Sequence, residues 1–265
     1  MKRIIDKFAE LASRNEKALI CFLTGGDPDF ELSEGLVQKV AEAGADIIEI
    51  GVPFSDPLAD GPSIQASTFR ALSNGASVSK VLASVKKIRE TCDVPIVLMS
   101  YFNPVRAYGV ESFAKDAKNA GADGVIMTDL PPEEAYEWKK AADENNLATI
   151  FLIAPTSTEE RLNLGAKMAS GFIYCVSRTG VTGARQDVPT ELKDLVDLIK
   201  SKTKTPVVIG FGISKPEHVK QVSSFADGAV VGSALVNIVS NNLENREKLI
   251  DEAVKYVSAL KAATK

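Results

Sequence analysis

Short apolar runs rich in valine and isoleucine recur along the chain, each separated from the next by a segment whose apolar residues fall three and four apart. Eight runs are visible: Leu19 to Leu23, Ile47 to Ile50, Pro95 to Met99, Gly124 to Met127, Thr149 to Ile153, Phe172 to Val176, Pro206 to Ile209 and Gly228 to Val231. Their near-continuous hydrophobicity is that of parallel strands buried on both faces, and the spacing between them is helical. Helices are predicted at Leu32 to Ala43, Val78 to Glu90, Glu133 to Glu144 and Leu192 to Lys200, with further ones at Lys2 to Ser13 and Glu244 to Lys261. Ala-Gly-Ala-Asp occurs at 43–46 and again at 120–123, each time closing a helix on a glycine just before a strand. Repeated βα units predict an α/β fold, a single-domain (β/α)8 TIM barrel over residues 1–265 with extra N-terminal and loop helices. A doubly wound open sheet shares the local pattern and is the alternative.

Composition narrows the function. The 31 basic and 35 acidic residues give a net charge of -4, and no cluster of Lys and Arg marks a nucleic-acid or lipid surface. No apolar run reaches the length of a membrane span, and residues 1–14 mix charges at helical spacing, so a cytoplasmic protein is expected. The three cysteines, Cys21, Cys92 and Cys175, read as free thiols. With His218 as the only histidine, histidine catalysis and a histidine metal site have little to draw on, and no metal is expected.

Two connections are long and rich in Gly and Pro, Val52 to Pro62 after the second run and Ser177 to Pro189 after the sixth. In a barrel both lie on the catalytic face. Strand alternation sends Glu49 to the opposite side from Ile48 and Ile50; if those isoleucines meet the helices, Glu49 enters the barrel mouth, where its proton affinity can be tuned for acid or base work. A strand-end glutamate bonded to a neighbouring backbone group or tyrosine is the plainer alternative. Asp60 stands on a segment stiffened by three prolines and closed by Gly61, and Asp56 reads as turn chemistry or a cap for the following helix.

Three glycine-containing turns, Gly180 to Gly183, Gly210 to Gly212 and Gly232 with Ser233, follow successive late strands, where barrels bind phosphate through backbone N–H groups and the start of a short helix, here Ala234 to Val239. Each alone could be a simple turn. The remaining mouth positions are apolar or aromatic: Phe22, Met99, Tyr101, Leu152, Tyr174 and Phe211, core residues unless the substrate is aromatic. No lysine stands at a strand's carboxyl end, which removes a Schiff-base aldolase and leaves carboxylate acid–base chemistry.

The segment Ile48-Glu49-Ile50-Gly51-Val52-Pro53-Phe54-Ser55-Asp56-Pro57-Leu58-Ala59-Asp60-Gly61-Pro62 resembles the signature of the tryptophan synthase alpha family. Leu23 to Pro28, Tyr101 to Pro104, Tyr174 to Gly183 and Gly210 to Ile213 add to the resemblance, which spans nearly the whole chain. It implies a lyase that splits indole-3-glycerol phosphate into indole and glyceraldehyde 3-phosphate by a retro-aldol step. It further implies Glu49 as proton donor and acceptor, Asp60 as stabiliser of positive charge on the indole nitrogen, and Tyr174 as the group orienting Glu49 or the glycerol. Phe22, Met99, Leu152 and Phe211 are implied to sandwich the indole, and Thr182, Gly183, Gly212, Gly232 and Ser233 to contact the substrate around its phosphate.

The resemblance also implies a beta subunit in an α2β2 complex, holding pyridoxal phosphate that this chain lacks and receiving indole through a tunnel. The two long loops are implied to be lid and contact surfaces. A stand-alone lyase, another phosphosugar barrel, and a non-catalytic activator of the beta subunit are the competing expectations. The second of these calls for a lysine or a differently spaced carboxylate pair at the strand ends.

Overall fold

A computed structural model of the chain describes residues 1–176, 190–210 and 212–265. Nine parallel strands form one sheet: β1 (Ala18–Thr24), β2 (Ile47–Gly51), β3 (Ile96–Ser100), β4 (Gly124–Met127), β5 (Ala148–Ile150), β6 (Leu152–Ile153), β7 (Ile173–Val176), β8 (Val207–Gly210) and β9 (Gly228–Val231). Their order is β5-β4-β3-β2-β1-β9-β8-β7-β6. The two end strands are neighbours in the chain, separated only by Phe151, whose carbonyl accepts the Tyr174 N–H at 3.1 Å. β5 pairs with β4 and β6 with β7, so the run expected as one strand from Thr149 to Ile153 changes partners midway and closes the barrel. An open doubly wound sheet is thereby excluded.

Alternation along the strands separates two cores. Ile48, Ile50, Leu98, Val125, Ile209 and Val231 pack outward against the helices. Ile20, Ile47, Val97, Ile126, Ile150, Phe172, Val208 and Val230 fill the barrel. Helix α1 (Lys2–Ser13) adds Ile4, Phe8 and Leu11 to that inner core and seals the end where the strands begin, which leaves the carboxyl end open. Cys21 and Cys175 belong to the outer core, and all three cysteines are buried and free.

The repeated Asp before a strand has a structural purpose. The backbone N–H groups of Asp46, Asp123 and Asp227 each donate at 2.8 Å to the carbonyls of Leu19, Ile96 and Val207. The N–H groups of those same three residues donate back to the Asp carboxylates at 2.8, 3.1 and 2.9 Å. Lys261, Arg89 and Lys200 pair with the three carboxylates. Ser170 takes the equivalent place against Thr149, with both bonds at 2.9 Å. β2, β4 and β9 are thus pinned to the strand before each, and β7 to β5, at the sealed end.

The helices α2 (Phe30–Glu42), α3 (Pro62–Ser73), α4 (Val78–Ile88), α5 (Phe102–Tyr108), α6 (Val110–Ala120), α7 (Tyr136–Glu144), α8 (Glu159–Met168), α9 (Thr190–Lys202), α10 (Pro216–Ser223), α11 (Ser233–Asn241) and α12 (Arg246–Ala262) complete the order. The helix expected from Glu133 begins instead as a 3-10 turn at Pro132–Glu134. α5 and α8 have no counterpart in the sequence reading, whereas α6 is the helix expected to close on Gly121. Pro104 in the first turn of α5 reads as a breaker but is tolerated there. Asp56 does not cap the following helix. α3 starts behind Gly61 with Pro62 as its first residue, and the Asp56 carboxylate accepts from the Ser55 hydroxyl.

Candidate active site

Glu49 lies on β2 between Phe22 of β1 and Val97 of β3. Because Ile48 and Ile50 pack against the helices, alternation turns Glu49 inward. It is 0 % exposed, and neither carboxyl oxygen has a hydrogen-bond partner among the described residues. A charge there is costly, so burial pushes the carboxyl up to about 8 and Glu49 holds its proton at neutral pH. The plainer alternative, a glutamate bonded to a neighbouring backbone or tyrosine, is not what these residues form.

Asp60 sits in the loop between β2 and α3. Its N–H donates to the Pro57 carbonyl at 3.0 Å, and its own carbonyl accepts from Gln65 Nε2 at 2.8 Å. Burial raises its carboxyl to about 6, against the opposing pull of a hydrogen bond from the Tyr101 hydroxyl. Two carboxyl groups therefore stand at one barrel end with their proton affinities separated, one protonated and one ionised at pH 7.

Tyr174 on β7 lies opposite, paired in register with Leu152 and Val208. Burial, and then the charge of Glu49, hold its hydroxyl well above the usual tyrosine range. The ring lies over Gly210, where an added Cβ would come within 2.1 Å of the hydroxyl oxygen. A Cβ at Gly51 would likewise meet the Phe22 ring at 2.6 Å. Glycines ending β2 and β8 make room for aromatic rings inside the mouth. Phe22 packs with Ile64 of α3, Val236 of α11 and Met99 of β3, while Leu152, Tyr174 and Met99 join the upper inner core.

α11 begins at the same end of the barrel. Gly232 precedes it without a side-chain cap, and Leu235 and Val236 are the first to donate back to the Gly232 carbonyl. The leading N–H groups at Ser233 and Ala234 are thus left to an outside acceptor, the arrangement that binds anions. Gly232 also adjoins Phe22, its Cβ position 3.6 Å from the phenylalanine Cβ. Gly212 has a φ of +48°, in the left-handed region.

The structure therefore places Phe22, Glu49, Asp60, Met99, Leu152, Tyr174, Gly212, Gly232 and Ser233 around the open end. Thr182, Gly183 and Phe211 lie outside the described residues. Sequence reasoning left Tyr101 without a role, although its hydroxyl holds the Asp60 loop. Ile64, Val236 and Gly51 were also without assigned roles in the mouth, and Gly210 was read for phosphate and not for the room it leaves Tyr174. Their signal was positional only, an aromatic just after β3 and glycines ending two strands. Among the described residues, no group of three or more His, Cys, Asp and Glu is placed to hold a metal ion, and no helix is long and apolar enough to cross a membrane.

Fold and mouth together define a TIM-barrel enzyme equipped for proton transfer by carboxyl groups. A family model described as tryptophan synthase alpha chain matches residues 8–265. The tryptophan synthase alpha chain of Geobacter sulfurreducens is 50% identical over 263 residues, covering 99% of both chains. That of Geotalea uraniireducens is 50% identical over all of this chain and 98% of its own. Among solved structures, tryptophan synthase subunit alpha from Legionella pneumophila superposes with a TM-score of 0.92 at 38% identity, covering 99% of this chain and 98% of that one. A Mycobacterium tuberculosis tryptophan synthase structure gives 0.91 at 38% identity with the same coverage. The chain belongs to the tryptophan synthase alpha chain family and is a lyase of tryptophan biosynthesis.

Proposed function

We propose that the chain cleaves indole-3-glycerol phosphate to indole and glyceraldehyde 3-phosphate, with Glu49 moving the protons and Asp60 stabilising charge. The observation that carries this reading is Glu49, fully buried at the open end with both oxygens unpartnered among the described residues. Protonated at neutral pH, it donates to indole C3, and the positive charge that develops on the ring nitrogen meets the ionised Asp60. The Glu49 carboxylate then takes the proton of the adjacent glycerol hydroxyl. The electron pair of that O–H bond forms the aldehyde carbonyl, and the C–C bond pair neutralises the ring nitrogen. Glu49 ends the cycle as it began, and the step calls on no cofactor within this chain.

Phe22, Met99, Leu152 and Phe211 hold the indole, and Tyr174 orients the glycerol rather than Glu49, with which it forms no hydrogen bond. Gly212, Gly232 and Ser233, together with Thr182 and Gly183, contact the phosphate. The barrel acts as one domain in the cytoplasm. It joins a beta subunit in an α2β2 complex, and that partner holds pyridoxal phosphate and takes up the indole.

Indole release from indole-3-glycerol phosphate, measured for the chain and for Glu49→Gln with and without a beta subunit, tests this reading. Slow release alone, strong enhancement by the partner and loss in the variant are expected. Fast release without any partner effect points to a stand-alone lyase, and no release under any condition overturns the catalytic reading.

A further inference from the structure

We propose that Tyr101 is a positioning residue that fixes the carboxylate of Asp60 at the barrel mouth, gripping the loop by its hydroxyl while its ring is braced by Phe54. Tyr101 directly follows β3 and is 6 % exposed. Its hydroxyl accepts the Ala59 N–H at 2.9 Å, one residue before Asp60, and donates to the Asp60 carboxylate. The Thr128 hydroxyl, just beyond β4, donates to the Ser100 carbonyl at 3.5 Å, on the residue before Tyr101. The rings of Tyr101 and Phe54 lie 5.3 Å apart at 40°. The loop from β2 to α3 is thus held near both ends by one side chain rooted in the barrel wall.

A phenol has one proton to donate and two lone pairs to accept with. Here Ala59 takes one lone pair and Asp60 the proton, so the hydroxyl has no proton left to donate to a substrate. That assigns Tyr101 to positioning and separates it from Tyr174. The same donor favours ionised Asp60 and offsets part of the effect of burial. The charged groups nearest in sequence on the flanking loops are otherwise engaged, Asp56 with the Ser55 hydroxyl and Asp129 with the Phe102 N–H at 2.7 Å.

The proposal rests on Asp60 being the charge-stabilising group, and Tyr101→Phe separates the two ideas. The substitution keeps the ring on Phe54 and removes only the hydroxyl. The Asp60 carboxyl resonance, assigned by its absence in Asp60→Asn, is followed by 13C NMR titration, alongside the pH dependence of indole release. Tyr101→Phe is expected to raise the Asp60 midpoint and the low-pH limb of kcat by about one pH unit. It is also expected to lower kcat at pH 6 with little change in KM, and to add little to the loss in Asp60→Asn. An unmoved Asp60 midpoint overturns the proposal. A moved midpoint with an unmoved rate limb upholds the hydrogen bond but removes its catalytic consequence, and with it the role assigned to Asp60.

Discussion

Glu49 is kept at a cost that can be measured. In the unfolded chain its carboxyl titrates near 4.5, whereas in the folded barrel burial raises it to about 8. Between those values the folded state binds more protons than the unfolded one, so stability falls as pH rises through the window. Linkage puts the penalty at under about 1 kcal/mol at pH 5, about 3 kcal/mol at pH 7 and somewhat over 4 kcal/mol at pH 8. Glu49→Gln keeps the shape and a neutral polar end but cannot ionise. It should therefore be more stable than the parent by a margin that grows by those amounts. Urea unfolding of both proteins at pH 5, 6, 7 and 8 reads the margin directly. The other carboxyl groups raised by burial, Asp27, Asp46 and Asp60, titrate in both proteins and cancel in the difference. A margin that stays constant from pH 5 to pH 8 would refute the reasoning, because the cost would not then come from the charge. The expected result is a more stable protein that no longer releases indole, the trade between stability and activity that buried catalytic carboxyl groups produce.

Three more outcomes follow from other parts of the molecule. Asp46→Ala strips the Leu19 N–H and the Lys261 ammonium of their acceptor, and thermal or urea unfolding should show a loss of about 2–3 kcal/mol; a loss under 0.5 kcal/mol would contradict a pinning role. Gly210→Ala drives a methyl into Tyr174 and should reduce kcat for indole release about a hundredfold while far-UV circular dichroism stays unchanged; a wild-type rate would mean that the position of Tyr174 does not matter. Thr182→Val should leave folding intact and weaken activation by a beta subunit, measured as the ratio of indole release with and without the partner, and an unchanged ratio would count against it.

What could be read from the chain follows from how local each feature is. The eight strand runs rest on near-continuous hydrophobicity and the inward turn of Glu49 on strand alternation, both of which a few residues suffice to display. The split at Phe151 was not legible, since it depends on which neighbour each half of the strand bonds. α5 was hidden by Pro104, which reads as a breaker although it sits in the helix's first turn. The contacts of Tyr101 arise where the end of β3 meets the loop after β2, a juxtaposition set by the tertiary fold and by no local pattern. Of the two readings open for Asp56, turn chemistry and a cap, the cap fails because Pro62 starts the helix six residues further on.

The most direct test of the central claim is the pH profile of kcat/KM for indole release from indole-3-glycerol phosphate. Asp60 must be ionised and Glu49 protonated at the start of the reaction, so the rate should fall below about pH 6 and again above about pH 8. The alkaline limb belongs to Glu49, which alone of the two carries a proton at the optimum. A profile that is flat from pH 5 to pH 9, or one that keeps rising past pH 8, would contradict proton transfer by Glu49.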